Sequence, residues 1–342
     1  MSNTLEPVIQ LIKNLPLEDR SALYRHLENL KKDDDETANS ILNICKSEGY
    51  HKQCPHCQSS KFKKYGLYKD RQRYRCHICD RTFNDFTGTV WHYIHDKDKF
   101  RQYVEYLAEQ KTLLECTIGL GICMQTAFYW RHKLLSAFER VDLKLLKKLI
   151  QADETSILES CKGNPKQVAK MQRTPRKRGG KSKNGGYSND QMCILAACDE
   201  DKNTVLRYVG NGGITKASIY QTLGNLIRKQ RKNQAIFVTD GNNSFLQFAR
   251  DKRLIHQKVV SNSKKFVNAQ GFHLQAVNAI HHRLKRWLSK FNGVATKYIQ
   301  NYLNFFRLWD KFTNFKDRFI YFFRMSIHDK FAFVPCRDIN PK

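Results

Sequence analysis

The spacing of apolar residues changes character along the chain. Over residues 3 to 31 it follows a helical period, with Leu5, Ile9, Ile12 and Leu15 in one set and Leu23, Leu27 and Leu30 in another, and Pro16 divides the two. A charged run at 31 to 36 reads as a linker. Residues 51 to 90 are polar and cysteine-bearing. Helical spacing returns at 98 to 114 and 125 to 138, with Gly119-Leu120-Gly121 between. This predicts a helix-turn-helix whose second helix carries Thr126, Tyr129, Trp130, Arg131, His132 and Lys133, although any small helical hairpin would show the same pattern. From residue 147 short apolar runs predict strands at 148–152, 192–197, 205–209, 235–238 and 256–260. Helices are predicted at 216–228, 274–290 and 297–309. That alternation is the pattern of an α/β domain, a mixed sheet flanked by helices. Between the first two strands, residues 162 to 187 carry glycine-rich basic stretches without apolar period and read as a mobile loop, suited to tracking a phosphate backbone or simply solvated.

Composition narrows the partners. The chain has 342 residues, 41% of them hydrophobic, enough for several cored domains, and 60 Lys+Arg stand against 32 Asp+Glu, a formal charge of +28. Such a field attracts a polyanion, and nucleic acid leads. No apolar run reaches the roughly 18 residues of a spanning helix, and no export signal is visible at the N-terminus. No membrane partner and a cytoplasmic, nucleoid-associated location are therefore expected.

Four of the eleven cysteines form two C-x-x-C pairs, Cys54/Cys57 and Cys76/Cys79. Their spacing suits a four-thiolate structural zinc site, which can hold together a segment too small and polar for its own core. A disulfide reading is the alternative, disfavoured without a secretory context. Lys63, Lys64, Arg71 and Arg73 lie between the pairs among aromatics, as in a surface that meets phosphates and sugars or as a solvated basic face.

Asp153 and Asp240 each follow an apolar run, so strand ends should deliver both carboxylates. On adjacent strands they would share divalent metals, although an Asp after a strand often only caps a turn. In the stretch 273 to 287, Asn278, His281 and Lys285 fall on one helical face, from which a third ligand would come.

These motifs resemble those of insertion-sequence transposases with an N-terminal zinc ribbon and an RNase H-like domain bearing an acidic triad. The likeness covers about residues 50 to 315 and rests on the paired C-x-x-C motifs, Ala152-Asp153-Glu154-Thr155, Arg178-Gly179-Gly180, Thr239-Asp240-Gly241 and the helix with His273 and Asn278. It implies that Asp153 and Asp240 are catalytic metal ligands and that His281 occupies the place of the third acid. Glu154, expected on the opposite face of its strand, ranks behind His281 with His273 and Asn278 as a supporting residue. Arg131, Lys133, Arg178, Arg283, Lys285 and Lys297 join the ribbon cations as expected DNA contacts. An imidazole ligand should favour manganese relative to magnesium and make activity fall as pH drops through about 6.5.

The expected plan is a helical segment at 1–36, a zinc ribbon at 48–90, a helix-turn-helix region at 96–142, an RNase H-like catalytic domain at 147–315 and a tail at 316–342. The expected activity is metal-dependent cleavage and strand transfer at element ends, on double-stranded DNA, by a homodimer or larger oligomer as the resemblance implies. A zinc-ribbon regulator without catalysis, or an inactive transposase relic, explains the charge and cysteines but leaves the two aspartates without a role.

Overall fold

A computed structural model describes residues 16, 53–68, 71–139, 141, 143–169, 188–228, 235–260 and 267–327. The predicted helices at 3–31, the linker at 31–36 and Arg178 lie outside these residues. The chain divides into two compact units, one of residues 1–105 with 314–333, the other of residues 106–313 with 334–342.

In the first unit three short strands, β1 (Phe62–Tyr68), β2 (Arg71–Cys76) and β3 (Thr82–Phe83), form an antiparallel sheet in that order. Its core is small: Phe62, Tyr74 and Phe83 pack with Cys54, Cys76 and Cys79. A second aromatic cluster centres on Trp91, which stacks on Phe86 and meets Phe100 and Phe323 edge-on. Its indole N–H donates to Ser326 at 2.8 Å. Helix α1 (Lys97–Ala108) begins in this unit. The expected tail instead opens with a helix, Phe315–Ile327, that buries Phe319, Phe322 and Phe323 in the same unit. Three phenylalanines at helical spacing had a core to join.

The second unit holds the five-stranded sheet. The strands are β4 (Leu149–Leu158), β5 (Gln191–Asp199), β6 (Thr204–Asn211), β7 (Ile236–Thr239) and β8 (Ile255–Lys258), ordered β6-β5-β4-β7-β8. The first three in sequence are antiparallel neighbours, while β7 and β8 add in parallel. This mixed sheet, with helices on both faces, is the RNase H-like arrangement anticipated above. Ile150, Ala152, Leu195 and Phe237 bury one face under a helix at Lys216–Leu223 and another at Asn243–Lys252. The other face meets α7 (Gln275–Ser289), against β4 and β5, and α8 (Ile299–Asp310), against β6. We number the intervening helices α2 (Leu113–Leu120), α3 (Met124–Glu139), α4 (Pro165–Ala169), α5 (Lys216–Leu223) and α6 (Asn243–Lys252).

The helical pair before the sheet differs from expectation. The predicted helix at 98–114 ends at Ala108, Gln110 takes a φ of 63°, and Thr112 starts α2 with a capping box to Glu115. The turn into α3 uses Gly121 at φ 58°. The helix that precedes α3 across the tight turn is thus α2, not the predicted 98–114 helix, while α3 itself matches the predicted helix at 125–138.

Candidate catalytic and metal-binding sites

Asp153 lies in the middle of β4, because the strand continues to Leu158 along β5, with Asp153 opposite Ala196. The expectation of a strand end holds only on the other side, where β7 stops at Thr239. The parallel register pairs Ile150 with Phe237 and Gln151 with Val238. Continued by two residues, it sets Asp153 level with Asp240. Gly241 then takes a φ of 94°, which turns the chain away into the Asn242 cap of α6.

Glu154 corrects a further expectation. Strand alternation points it to the opposite face, yet carboxylate oxygens of Asp153, Glu154 and Asp240 all lie within 4.8 Å of one another. With β7 ended, β4 has no neighbour on that side, so the longer Glu side chain can bend past the sheet edge. Asn242 holds it there, its Nδ2 donating to Glu154 Oε1 at 3.2 Å. The same asparagine donates its backbone N–H to Asp240 Oδ1 and accepts from Ser244 N–H, tying the site to the start of α6.

His281 projects from α7, buried, with Nδ1 3.8 Å from Asp153 Oδ2 and Nε2 lacking any hydrogen-bond partner. Burial lowers the imidazole to about 4, and Lys285 adds to the shift. Burial also pushes the Asp153 carboxyl up to about 7, reinforced by the charges of Asp240 and Glu154. The 3.8 Å contact is therefore no ion pair at neutral pH, because the imidazole is uncharged there. The tight acidic group excludes His281, which reaches Asp153 from the α7 side.

Gln151 sets where α7 stands. It is buried on β4 two residues before Asp153, and so on the same face. Its Oε1 accepts from the backbone N–H of Ala276 at 3.0 Å and of Val277 at 3.2 Å, while Leu274, at the N-cap position, makes no side-chain cap. Strand β4 thus caps the helix that carries His281 and Lys285. The signal was one amide side chain inside an otherwise apolar run.

The other expected residues are dispersed. Asn278 and Lys285 are exposed on α7. His273 is half-buried, its Nδ1 accepting from Gln275 N–H at 3.4 Å. Arg283 is committed to a bidentate pair with Asp310, at 2.9 and 2.7 Å. Lys297 lines a cavity of about 210 Å³ with Lys162, Asn164 and Thr296. Arg131 and Lys133 do not fit the role of DNA contacts, being 0% and 3% exposed. Arg131 donates to the Lys111 carbonyl at 2.6 Å and lies over the Phe291 ring. The exposed positions of α3 are at its two ends, Met124 and Gln125 at the start and Glu139 at the finish.

In the first unit the four cysteines converge. Cys54 and Cys79 Sγ are 3.7 Å apart and Cys57 and Cys76 3.5 Å, and all four lie within 4.8 Å. A tetrahedron of thiolates at about 2.3 Å from zinc has edges of about 3.8 Å. The two knuckles also match: the residue after each second cysteine, Gln58 and Asp80, takes a left-handed φ, 61° and 57°. This donor set fits a structural metal with no position left open.

No family model matches the chain. It is 24% identical over 257 residues to an uncharacterized protein in transposable element ISH50 of Halobacterium salinarum, a match covering 75% of this chain and 84% of that protein. Comparison with solved structures gives a chain of a pre-cleavage Mos1 transpososome, at 12% identity over 69% of this chain and 80% of that chain, with a TM-score of 0.28. A value so low carries no argument. No described helix is long and apolar enough to cross a membrane.

Proposed function

We propose that this chain is a transposase that binds the ends of a mobile element and cleaves and joins DNA there with divalent metal. The observation that carries the reading is the clustering of Asp153 and Asp240, level on adjacent parallel strands, with a third donor on either side. Kinship to a protein in a transposable element supports the same reading.

In this proposal Asp153 and Asp240 hold magnesium or manganese, and His281 contributes a neutral imidazole. A buried nitrogen facing Asp153 with no partner on its far side suits a ligand. A second reading makes Glu154 the third ligand, favoured by the closure of the acidic group. Two such ions, when bound, activate the attacking oxygen and steady the leaving oxygen. The chain's own work is to release the proton from Asp153, to keep the carboxylates in register through Gln151 and Asn242, and to balance phosphate charge with Lys285. Cleavage consumes one water, breaks the bond between phosphorus and the 3′ oxygen and leaves a 3′ hydroxyl and a 5′ phosphate; the freed hydroxyl then attacks a phosphate of target DNA and displaces that strand's 3′ oxygen, which leaves as a new 3′ hydroxyl. The Cys54, Cys57, Cys76 and Cys79 site holds structural zinc. Lys63, Lys64, Arg71, Arg73, Lys285 and Lys297 contact double-stranded DNA, and a dimer or larger assembly joins two ends.

The test is cleavage of a labelled duplex that carries the DNA bordering the gene, with magnesium and manganese in parallel, for wild type, Glu154→Gln and His281→Ala. A metal-dependent 3′-hydroxyl product from wild type is expected, with manganese at least as effective as magnesium. Loss in His281→Ala alone assigns the imidazole, and loss in Glu154→Gln alone assigns the carboxylate. Binding without cleavage in either metal would make the chain a DNA-binding regulator.

A further inference from the structure

Lys258 lies where the edge of the sheet meets the turn after Asp240. β8 is the edge strand beside β7, and its register sets Lys258 opposite Thr239, the residue before Asp240. The pairing runs one step further, with Val259 N–H donating to the Thr239 carbonyl at 2.9 Å. Asn268 fixes the strand as well, its Nδ2 donating to the Lys258 carbonyl at 3.3 Å and to Gln257 Oε1 at 3.2 Å. From this anchored backbone the Lys258 side chain folds over Gly241. A Cβ on Gly241 would fall 2.1 Å from Lys258 Cε and 2.7 Å from its Cδ and Cγ, so the alkyl stem fills the space that a larger residue after Asp240 would take. Consecutive Cα atoms are about 3.8 Å apart, which keeps the ammonium within about 9 Å of the Asp240 Cα. It is exposed, and among the described residues no hydrogen bond or ion pair engages it. Other cations of the same unit are taken up by carboxylates, Lys216 by Asp251 and Arg283 by Asp310, each at 2.7 Å. Lys258 is not, although the carboxylates of Asp153, Glu154 and Asp240 close on one another beside Gly241.

We propose that Lys258 binds a backbone phosphate of the DNA strand being cut, next to the scissile one, with its stem resting on Gly241 to hold the ammonium clear of the carboxylates. The inference rests on the transposase reading and adds a substrate contact on the β8 side of the site. The ligand follows from chemistry. A strand led past three carboxylates brings more negative charge to a place already rich in it, and an unengaged ammonium there offsets that repulsion. Lys285 cannot serve the same phosphate. Its charge acts on Asp153 from α7, which packs on β4 and β5, whereas Lys258 comes from an edge two strands away from β4, about 10 Å across the sheet.

The experiment uses the full-length protein, manganese and the labelled duplex bordering the gene, with the phosphates flanking the cut replaced one at a time by neutral methylphosphonates. Cleavage by wild type should slow at least about 10-fold at one flanking position, the worth of one charge-assisted hydrogen bond. Lys258→Met keeps the stem and removes the charge. It should cut the unmodified duplex more slowly by a similar factor and be indifferent to the methylphosphonate at that one position, while the other positions affect it as they affect wild type. Lys258→Arg should recover both the rate and the sensitivity. Without metal, Lys258→Met should bind the unmodified duplex with a salt dependence lower by about one counterion. An unchanged melting curve and manganese affinity for Lys258→Met exclude misfolding. A Lys258→Met variant that cuts as fast as wild type, or that stays as sensitive as wild type at every flanking phosphate, overturns the inference and leaves the transposase reading standing. Failure of wild type to cut the unmodified duplex with either manganese or magnesium overturns both.

Discussion

The Nδ1 of His281 stands 3.8 Å from Asp153 Oδ2, and the protein environment moves the two groups in opposite directions, the imidazole down to about 4 and the carboxyl up to about 7. From sequence, the pH response of the site belonged to an imidazole near 6.5. In the folded chain His281 is neutral throughout pH 5 to 8, and Asp153 is the group that titrates there.

Metal binding should accordingly release a proton from Asp153 as pH falls below about 7. Below that value apparent manganese affinity should drop towards about 10-fold per pH unit, and above it level off. Titration calorimetry at pH 6.2 and 7.8, each in two buffers of different ionisation enthalpy, measures the proton count directly. An affinity that is equal at both pH values, with no proton released, contradicts the assignment.

Gln151 offers a separate test of how α7 is placed. Gln151→Ala leaves the N–H groups of Ala276 and Val277 without their acceptor, which should cost about 1–2 kcal/mol of stability. It should also slow cleavage while DNA binding stays near wild type. Gln151→Glu keeps an acceptor and should recover stability more fully than activity, because it adds a negative charge beside Asp153. Equal cleavage rates in Gln151→Ala and wild type would show that α7 holds its position without this cap.

His132 predicts an acid-sensitive fold. It is buried among Phe128 and Tyr298, its Nδ1 has no hydrogen-bond partner, and burial, with Arg131 and Lys297 nearby, lowers it to about 3. The unfolded chain takes up this proton near 6.5 and the folded chain does not, so its contribution is intact above that pH. It is lost at about 1.4 kcal/mol per pH unit as pH falls towards 3. Melting temperature should decline from pH 7 to 5, and His132→Phe should flatten part of that slope. Parallel slopes for the two proteins would count against the buried neutral imidazole.

Removal of zinc should act on the ribbon alone. Its core is three aromatic rings and the cysteines themselves, too little to hold without metal, whereas the sheet of the second unit has its own core. A chelator, or Cys76→Ser, should abolish end binding and leave the main melting transition in place. Unchanged end binding after verified loss of zinc would separate DNA recognition from the ribbon.

Much of this architecture was legible in the chain, for identifiable reasons. β4 to β8 announced themselves as apolar runs, and the spacing of the two C-x-x-C pairs singled out the four cysteines that the fold brings together. Asp153 and Asp240 were visible as carboxylates beside those runs. Other features depended on contacts between distant residues. The bend of Glu154 into the site requires β7 to end at Thr239, the role of Gln151 requires α7 to start beside β4, and neither pairing is local. Arg131 and Lys133 looked like a basic helix face because charge suggests solvent, yet α3 is buried along most of its length, and Arg131 lies against Lys111, Cys116 and Phe291. The break between α1 and α2 hid because apolar spacing runs on through Gln110 and Thr112, where backbone geometry and capping end one helix and begin the next.

The central claim is that Asp153 and Asp240 form one metal-dependent cleavage site, and the most direct measurement is the rate of single-strand cleavage at the element end for wild type, Asp153→Asn and Asp240→Asn at saturating protein with manganese. Wild type should cut, while each variant binds the end with near wild-type affinity and cuts at least about 1000-fold more slowly, the order of loss expected when an essential metal ligand is removed. Cleavage by either variant at a rate close to wild type would contradict the claim.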